Sequence, residues 1–202
     1  MTLFGKFSGQ QKKVWRDPWE GNLKGRMAES LVYDLLKESG NEIYRLGYES
    51  VLPGLTGKKE TRVKKSKIGE KLRVIPDFFM IDKSGEPYLI EVKFRWNAKL
   101  QAEDVARLAR LNHFWEEALL VIVNCSRKPY FRVARAPFAV GSDTPKDERP
   151  LEDILPFRIS GELLAKFDVL VEKYLKPTLS SPLPKESAVL KHRAQYIKPV
   201  KR

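Results

Sequence analysis

Apolar residues recur along this chain with two spacings. Over residues 22–37, Leu23, Met27, Leu31 and Leu35 fall on one stripe, widened by Ala28, Val32 and Leu36. That spacing predicts an amphipathic helix. Shorter runs follow, predicting strands over 43–48, 74–81 and 87–94, the last two joined by the turn Asp82-Lys83-Ser84-Gly85-Glu86. A second helix is expected over 99–111, with Leu100, Val105, Leu108 and Leu111 inward. Residues 118–124 are almost wholly apolar, as in a strand covered on both faces. Residues 130–136 predict a fifth strand after an Arg127-Lys128-Pro129 turn, and 141–156, with three prolines, reads as a connecting loop. Ser160 predicts the N-cap of a helix to about 175, with Leu163, Phe167, Leu170, Val171 and Tyr174 inward.

The central hairpin carries the chemistry. Phe78 and Met80 on one strand, and Ile90, Val92 and Phe94 on the next, form an apolar face. Alternating with them are Asp77, after Pro76, and fourteen residues later Glu91, then Lys93. A turn centred near Ser84 sets Asp77 opposite Glu91, and facing side chains share one side of a sheet. Lys93 points the same way, because the strand period is two.

Two carboxylates about 4 Å apart repel by roughly 4 kcal/mol at an effective dielectric near 20. A divalent cation, the Lys93 ammonium or a shared proton would each relieve that repulsion. A solvated cross-strand ion pair uses the same residue types; the apolar alternation beside them favours a site. His113 and His192 lie far along the chain without partners at ligand spacing, and Cys125 is the sole cysteine. Hard oxygen donors without imidazole or thiolate favour Mg²⁺ or Mn²⁺ over Zn²⁺. Mg²⁺ takes one or two protein carboxylates and leaves its other positions to water and phosphate, which points to phosphoryl chemistry.

Pro76-Asp77 and Glu91-Val92-Lys93, with the helix before them and the strand order around them, resemble the signature of the PD-(D/E)XK nuclease superfamily. The resemblance spans roughly residues 22–125 and is nearest to the Holliday-junction-resolvase-like and general nuclease branches. It implies an α/β, restriction-endonuclease-like core ordered helix, three strands, helix, strand, with a mixed central sheet flanked by helices. It further implies that Asp77 and Glu91 hold Mg²⁺ or Mn²⁺, joined by Glu29 from the first helix, directly or through a bound water, and by the backbone carbonyl of Val92. Lys93 would position the attacking water or stabilise charge on the phosphate. Gln101 matches a glutamine that some branches place near the site. The tyrosine that one exonuclease branch carries shortly afterwards is missing, since Glu103, Asp104 and Val105 follow. The implied activity is a metal-dependent DNA endonuclease acting on duplex or branched substrate, without a small-molecule cofactor. Cutting of paired strands by this fold commonly implies a homodimer. A non-catalytic nucleic-acid-binding protein on the same scaffold, or an RNA-directed nuclease, stands as the alternative.

Charge reinforces a polyanionic partner. The 202 residues carry a formal net charge of +12. Residues 1–26 hold six basic and two acidic side chains, 53–75 eight and two, and 176–202 seven and one, so the rest is net acidic. These counts divide the chain into a basic N-terminal extension (1–20), a nuclease-like domain (21–175) with a basic flap at 53–72, and a flexible basic tail (176–202). Lys58, Lys59, Lys64, Lys65 and Lys67 make the flap a candidate phosphate clamp, read as a long loop or flexible hairpin from its glycines and few apolar anchors. Arg95 and Lys99 extend the same rim. Trp96 reads as a packing residue, and Trp15 and Trp19 are expected to dock on the body. With one cysteine, no disulfide forms within the chain, so a reducing cytoplasm is the expected home; Cys125 reads as a core residue. No apolar run is long enough to span a membrane, and the first residues lack a secretory-type apolar stretch.

Overall fold

A computed structural model describes residues 18–47, 57–97, 99–138, 144–154 and 156–176, with side chains described from 20 and, in the second stretch, from 61. The tail, most of the N-terminal extension, the Trp15 and Trp19 side chains, His192 and the side chains of Lys58 and Lys59 lie outside that description.

The first helix, α1 (Pro18–Glu38), starts four residues before its apolar stripe. Proline suits a first helical turn, where its missing N–H has no partner to lose. Ala28, Val32, Leu35 and Leu36 are fully buried, and Met27 and Leu31 pack beside them. Leu23, expected on the stripe, is instead 59 % exposed, because the N-terminal half of α1 borders a groove rather than the core. Gly40 stops the helix. Its N–H donates to Lys37 O and that of Asn41 to Leu36 O, with φ +90° at the glycine, a Schellman ending.

The sheet has six strands in sequential order: β1 (Glu42–Arg45), β2 (Phe78–Ile81), β3 (Pro87–Arg95), β4 (Leu119–Asn124), β5 (Phe131–Arg135) and β6 (Arg149–Pro150). β1, β2 and β3 form an antiparallel meander; β4 runs parallel to β3, and β5 and β6 are antiparallel again. The parallel step needs a crossover, supplied by the helix at Ala102–Phe114. The chain is thus a mixed α/β fold, with two short helices inserted between β1 and β2. The β2–β3 turn is built by Asp82, whose Oδ1 accepts from the N–H groups of Ser84 and Glu86 and the Ser84 hydroxyl. Gly85 supplies the positive φ of 91° that this turn requires.

Alternation along β3 and β4 divides two cores. Ile90, Val92, Leu119, Val121 and Val123 pack against α1 and against the C-terminal helix at Gly161–Leu170 with its π-helical turn at Val171–Leu175. Leu120, Ile122 and Ala134 face the other side, with Val74, Leu100, Leu108 and Leu111. Ser160 caps the C-terminal helix as expected, accepting from the Leu163 N–H. Tyr174, expected inward, is 46 % exposed, since the π turn rotates it away from the stripe. Within the expected 141–156 loop lie β6 and a 3₁₀ turn at Leu151–Asp153 that buries Leu151.

The basic flap is the largest departure from expectation. Its described part folds as two short helices, α2 (Gly57–Lys64) and α3 (Lys67–Arg73). Lysine, arginine and glutamate are good helix formers even without an apolar stripe. Ser66 caps α3 by accepting from the Gly69 N–H. Gly69 is a packing contact rather than a hinge. A Cβ there would meet the Val63 carbonyl oxygen at 1.7 Å, so only glycine lets the two helices meet this closely. The crossover helix is α4 (Ala102–Phe114), shifted three residues from its expected span, and the C-terminal helix is α5 (Gly161–Leu170).

Candidate active site

Phe78↔Ile90 is the last paired position of the β2–β3 hairpin on this side, and one further step in that register sets Asp77 against Glu91. Asp77 sits where β1 and β3 both reach it. Its carbonyl accepts from the Leu46 N–H at 2.9 Å, and its Oδ2 accepts from the Val92 N–H at 2.7 Å. Glu91 and Lys93 pair with Leu120 and Ile122 of β4 and so point toward α4. Glu91 is fully buried, and Lys93 Nζ lies 2.5 Å from its Oε1. The expected cluster of two carboxylates and an ammonium thus has its Glu91–Lys93 half in direct contact, with Asp77 alongside.

The electrostatics follow from burial. Loss of solvent pushes the Asp77 carboxyl up to about 7; Glu91 repulsion adds to this, and Lys93 and the Val92 N–H oppose it. Glu29 of α1 is likewise raised, first by burial, with Lys93 pulling it down and Glu91 pushing it up. Three acids, from α1, from the position before β2 and from β3, therefore sense one another. Glu91 behaves differently. Burial is again the largest influence and pushes it up, but Lys93 and Arg107 together hold it below the ordinary carboxylate range.

Arg107 was not apparent from sequence. Its guanidinium forks onto Glu91, Nε donating to Oε1 at 2.6 Å and Nη2 to Oε2 at 3.0 Å. Nη1 donates to the Arg73 carbonyl at the end of α3, at 2.9 Å. One signal for it existed: position 107 lies three residues after Asp104 and four before Leu111, both buried on the inward side of α4.

The nucleic-acid rim is only partly as expected. Arg95 is engaged by Asp104 of α4, through Nε to Oδ2 at 2.6 Å and a second bond from Nη2 to Oδ1, so it is not a freely projecting cation. Asp104 also accepts from the Gln101 N–H at 2.7 Å, and exposed Gln101 serves as the N-cap residue of α4. Lys65, Lys67 and Lys99 are exposed, while Lys64 is half-buried. Trp96 packs against the core, as read from sequence. His113 rests edge-on against Phe114, with ring centroids 4.5 Å apart.

A groove of about 640 Å³ runs between the N-terminal half of α1, the end of β3 and the start of α4. Glu29, Val92, Lys93 and Arg107 line it, so the expected helix glutamate shares an opening with Val92 and Lys93, whereas Asp77 and Glu91 lie behind the lining. Its α1 wall contains Gly21 and Gly25, where an added Cβ would meet nothing within 4 Å. Arg26, Glu103 and the Arg95–Asp104 pair also line its walls.

The donor set suits a hard cation in part. Asp77, Glu91 and Glu29 are oxygen donors close enough to perturb one another, and their mutual repulsion is what a cation would relieve. Against this, both Glu91 oxygens already accept from Arg107, and among the described residues no three acidic, histidine or cysteine side chains converge as a ready-made ligand cluster. Two carboxylates with water and phosphate completing the shell remain compatible with Mg²⁺.

No described helix is long and apolar enough to cross a membrane. No protein-family model matches the chain, and no curated protein matches it. Among solved structures, a Holliday junction resolvase, Hjc of Archaeoglobus fulgidus, aligns over 70 % of this chain and 98 % of its own, with 17 % identity and a TM-score of 0.35. Overlap that loose does not establish a shared fold.

Proposed function

We propose that this chain is a nuclease of restriction-endonuclease-like fold that hydrolyses phosphodiester bonds, with DNA as its substrate and Mg²⁺ or Mn²⁺ as its cofactor. The observation that carries the reading is the buried Glu91–Lys93 contact with Asp77 beside it, next to a groove that Lys93, Arg107 and Glu29 line. Buried acids that raise one another are costly to a fold and mark functional sites more often than structural ones.

In this reading Asp77 and Glu91 would hold the metal with the Val92 carbonyl, and Glu29 would join through a bound water. The cation would supply Lewis-acid polarisation of the phosphate and a more acidic water. Lys93, already fixed by Glu91 and part of the groove lining, orients the attacking water and offsets charge on the phosphate oxygens. As the water oxygen bonds to phosphorus, the bond from phosphorus to the departing ester oxygen breaks. Arg26 in the groove wall and the exposed lysines of α3 hold the backbone by charge.

A second reading has one observation in its favour. The Arg107 fork neutralises Glu91 in the manner of a structural ion pair, which suits a nucleic-acid-binding scaffold without catalysis. A cleavage panel separates the two. Duplex, branched and single-stranded DNA, and matching RNA, are incubated with the full chain in Mg²⁺, Mn²⁺ or EDTA. Metal-dependent cutting of DNA supports the nuclease; binding without cutting in every condition supports the scaffold; cutting in EDTA rejects the proposed mechanism. Preferential cutting of RNA would reassign the substrate.

A further inference from the structure

The structure assigns Arg107 the role of a positioning residue for the reaction proposed above, and the assignment rests on that reading. Its guanidinium is committed on three sides: two bonds to Glu91 and one to the Arg73 carbonyl. A fully buried carboxylate keeps its charge only when its oxygens are matched by donors. Lys93 shares Oε1 with Arg107 Nε, while Oε2 has the single longer bond from Nη2. Arg107 therefore fixes the plane of the carboxylate and leaves Oε2 the less committed oxygen.

The helix that carries Arg107 is itself held. Leu108 and Leu111 are buried on either side of its inward stripe, and α4 is the crossover between β3 and β4. The guanidinium thus transmits the position of the core to Glu91 rather than reaching out for substrate. Its bond to Arg73 adds a second connection, tying the end of basic α3 to the same carboxylate. A lysine in its place would keep the charge and lose the planar fork, so the exchange is not conservative at such a site.

The test uses full-length wild type, Arg107→Gln and Arg107→Lys. It reads kcat and KM on a DNA substrate that the wild type cuts, the Kd for Mn²⁺ by electron paramagnetic resonance, the Kd for DNA in EDTA, and the thermal midpoint. Outer-shell partners of metal ligands typically change affinity or rate by about 10- to 100-fold when removed. The expected result is a kcat loss and a weaker Mn²⁺ Kd of about that size in both variants, with DNA affinity in EDTA within about two-fold. Arg107→Lys decides alone if Arg107→Gln does not fold. Wild-type kcat and Mn²⁺ affinity in Arg107→Lys would overturn the assignment, as would a loss confined to DNA affinity, which would make Arg107 a phosphate contact. A wild type that neither binds Mn²⁺ nor cuts DNA overturns the nuclease reading itself, and this role with it.

Discussion

The backbone N–H of Val92 donates to the Asp77 carboxylate across 2.7 Å, tying the residue before β2 to the strand that carries Glu91 and Lys93. The bond stabilises the ionised carboxylate, yet burial and Glu91 outweigh it and leave Asp77 titrating near 7. A group balanced in that way is sensitive to its surroundings, and several measurable consequences follow from it.

Stability should depend on pH through Asp77. Between about pH 4 and about pH 7 the folded chain keeps a proton that the unfolded chain has released, so metal-free stability falls as pH rises through that window. The shift caps the effect at roughly 4 kcal/mol. Glu29 adds to the same trend, whereas Glu91, held low, contributes stability that is lost as pH drops below its ordinary range. Thermal midpoints in EDTA should decline from pH 5 to pH 8, and Asp77→Asn should decline less. An equal decline in both would place the effect elsewhere.

Asp77→Asn should also abolish metal-dependent cleavage while DNA affinity stays level or improves, since the change removes a donor and a negative charge together. Filter binding and gel cleavage on one oligonucleotide read both quantities. Cutting at the wild-type rate would remove Asp77 from the proposed site.

Gly25→Leu separates folding from access. An added Cβ here meets nothing within 4 Å, and leucine is the better helix former by nearly 1 kcal/mol, so the thermal midpoint should hold or rise. The new side chain would nevertheless project from the α1 wall of the groove. Cleavage and DNA binding should both fall, by ten-fold or more on an order-of-magnitude view of blocked polymer access. Undiminished activity would mean that the substrate takes another path.

Replacing Lys58, Lys59, Lys64, Lys65 and Lys67 by glutamine should weaken DNA binding without regard to sequence. If all five meet phosphate, the slope of log K against log salt changes by about 4 to 5 units. An unchanged slope would show that the α2–α3 region stays clear of the backbone.

How legible this was in the sequence differs by element. The β2–β3 register could be read because Asp82 and Gly85 define one turn and the strand period then places every side chain. Glu29 could be placed near the hairpin acids because α1 packs on the sheet as its stripe predicts. The α2–α3 pair could not be read, since its helices rest on a backbone contact at Gly69 rather than on apolar periodicity. Arg107 was hidden for another reason. Its partner lies 16 residues away on β3, beyond any helical or strand spacing, and the two meet only once α4 has crossed back over the sheet.

Strand β3 interleaves two duties over nine residues: Ile90 and Val92 belong to the oily interior, while Glu91 and Lys93 point to the opposite side. A slip of a single position would exchange these sets, driving charges among hydrocarbons and separating Glu91 and Lys93 from Arg107. Errors of pairing here would cost the molecule its shape and its chemistry at once. The Asp82–Gly85 bend thus guards the proposed site as closely as it guards the fold.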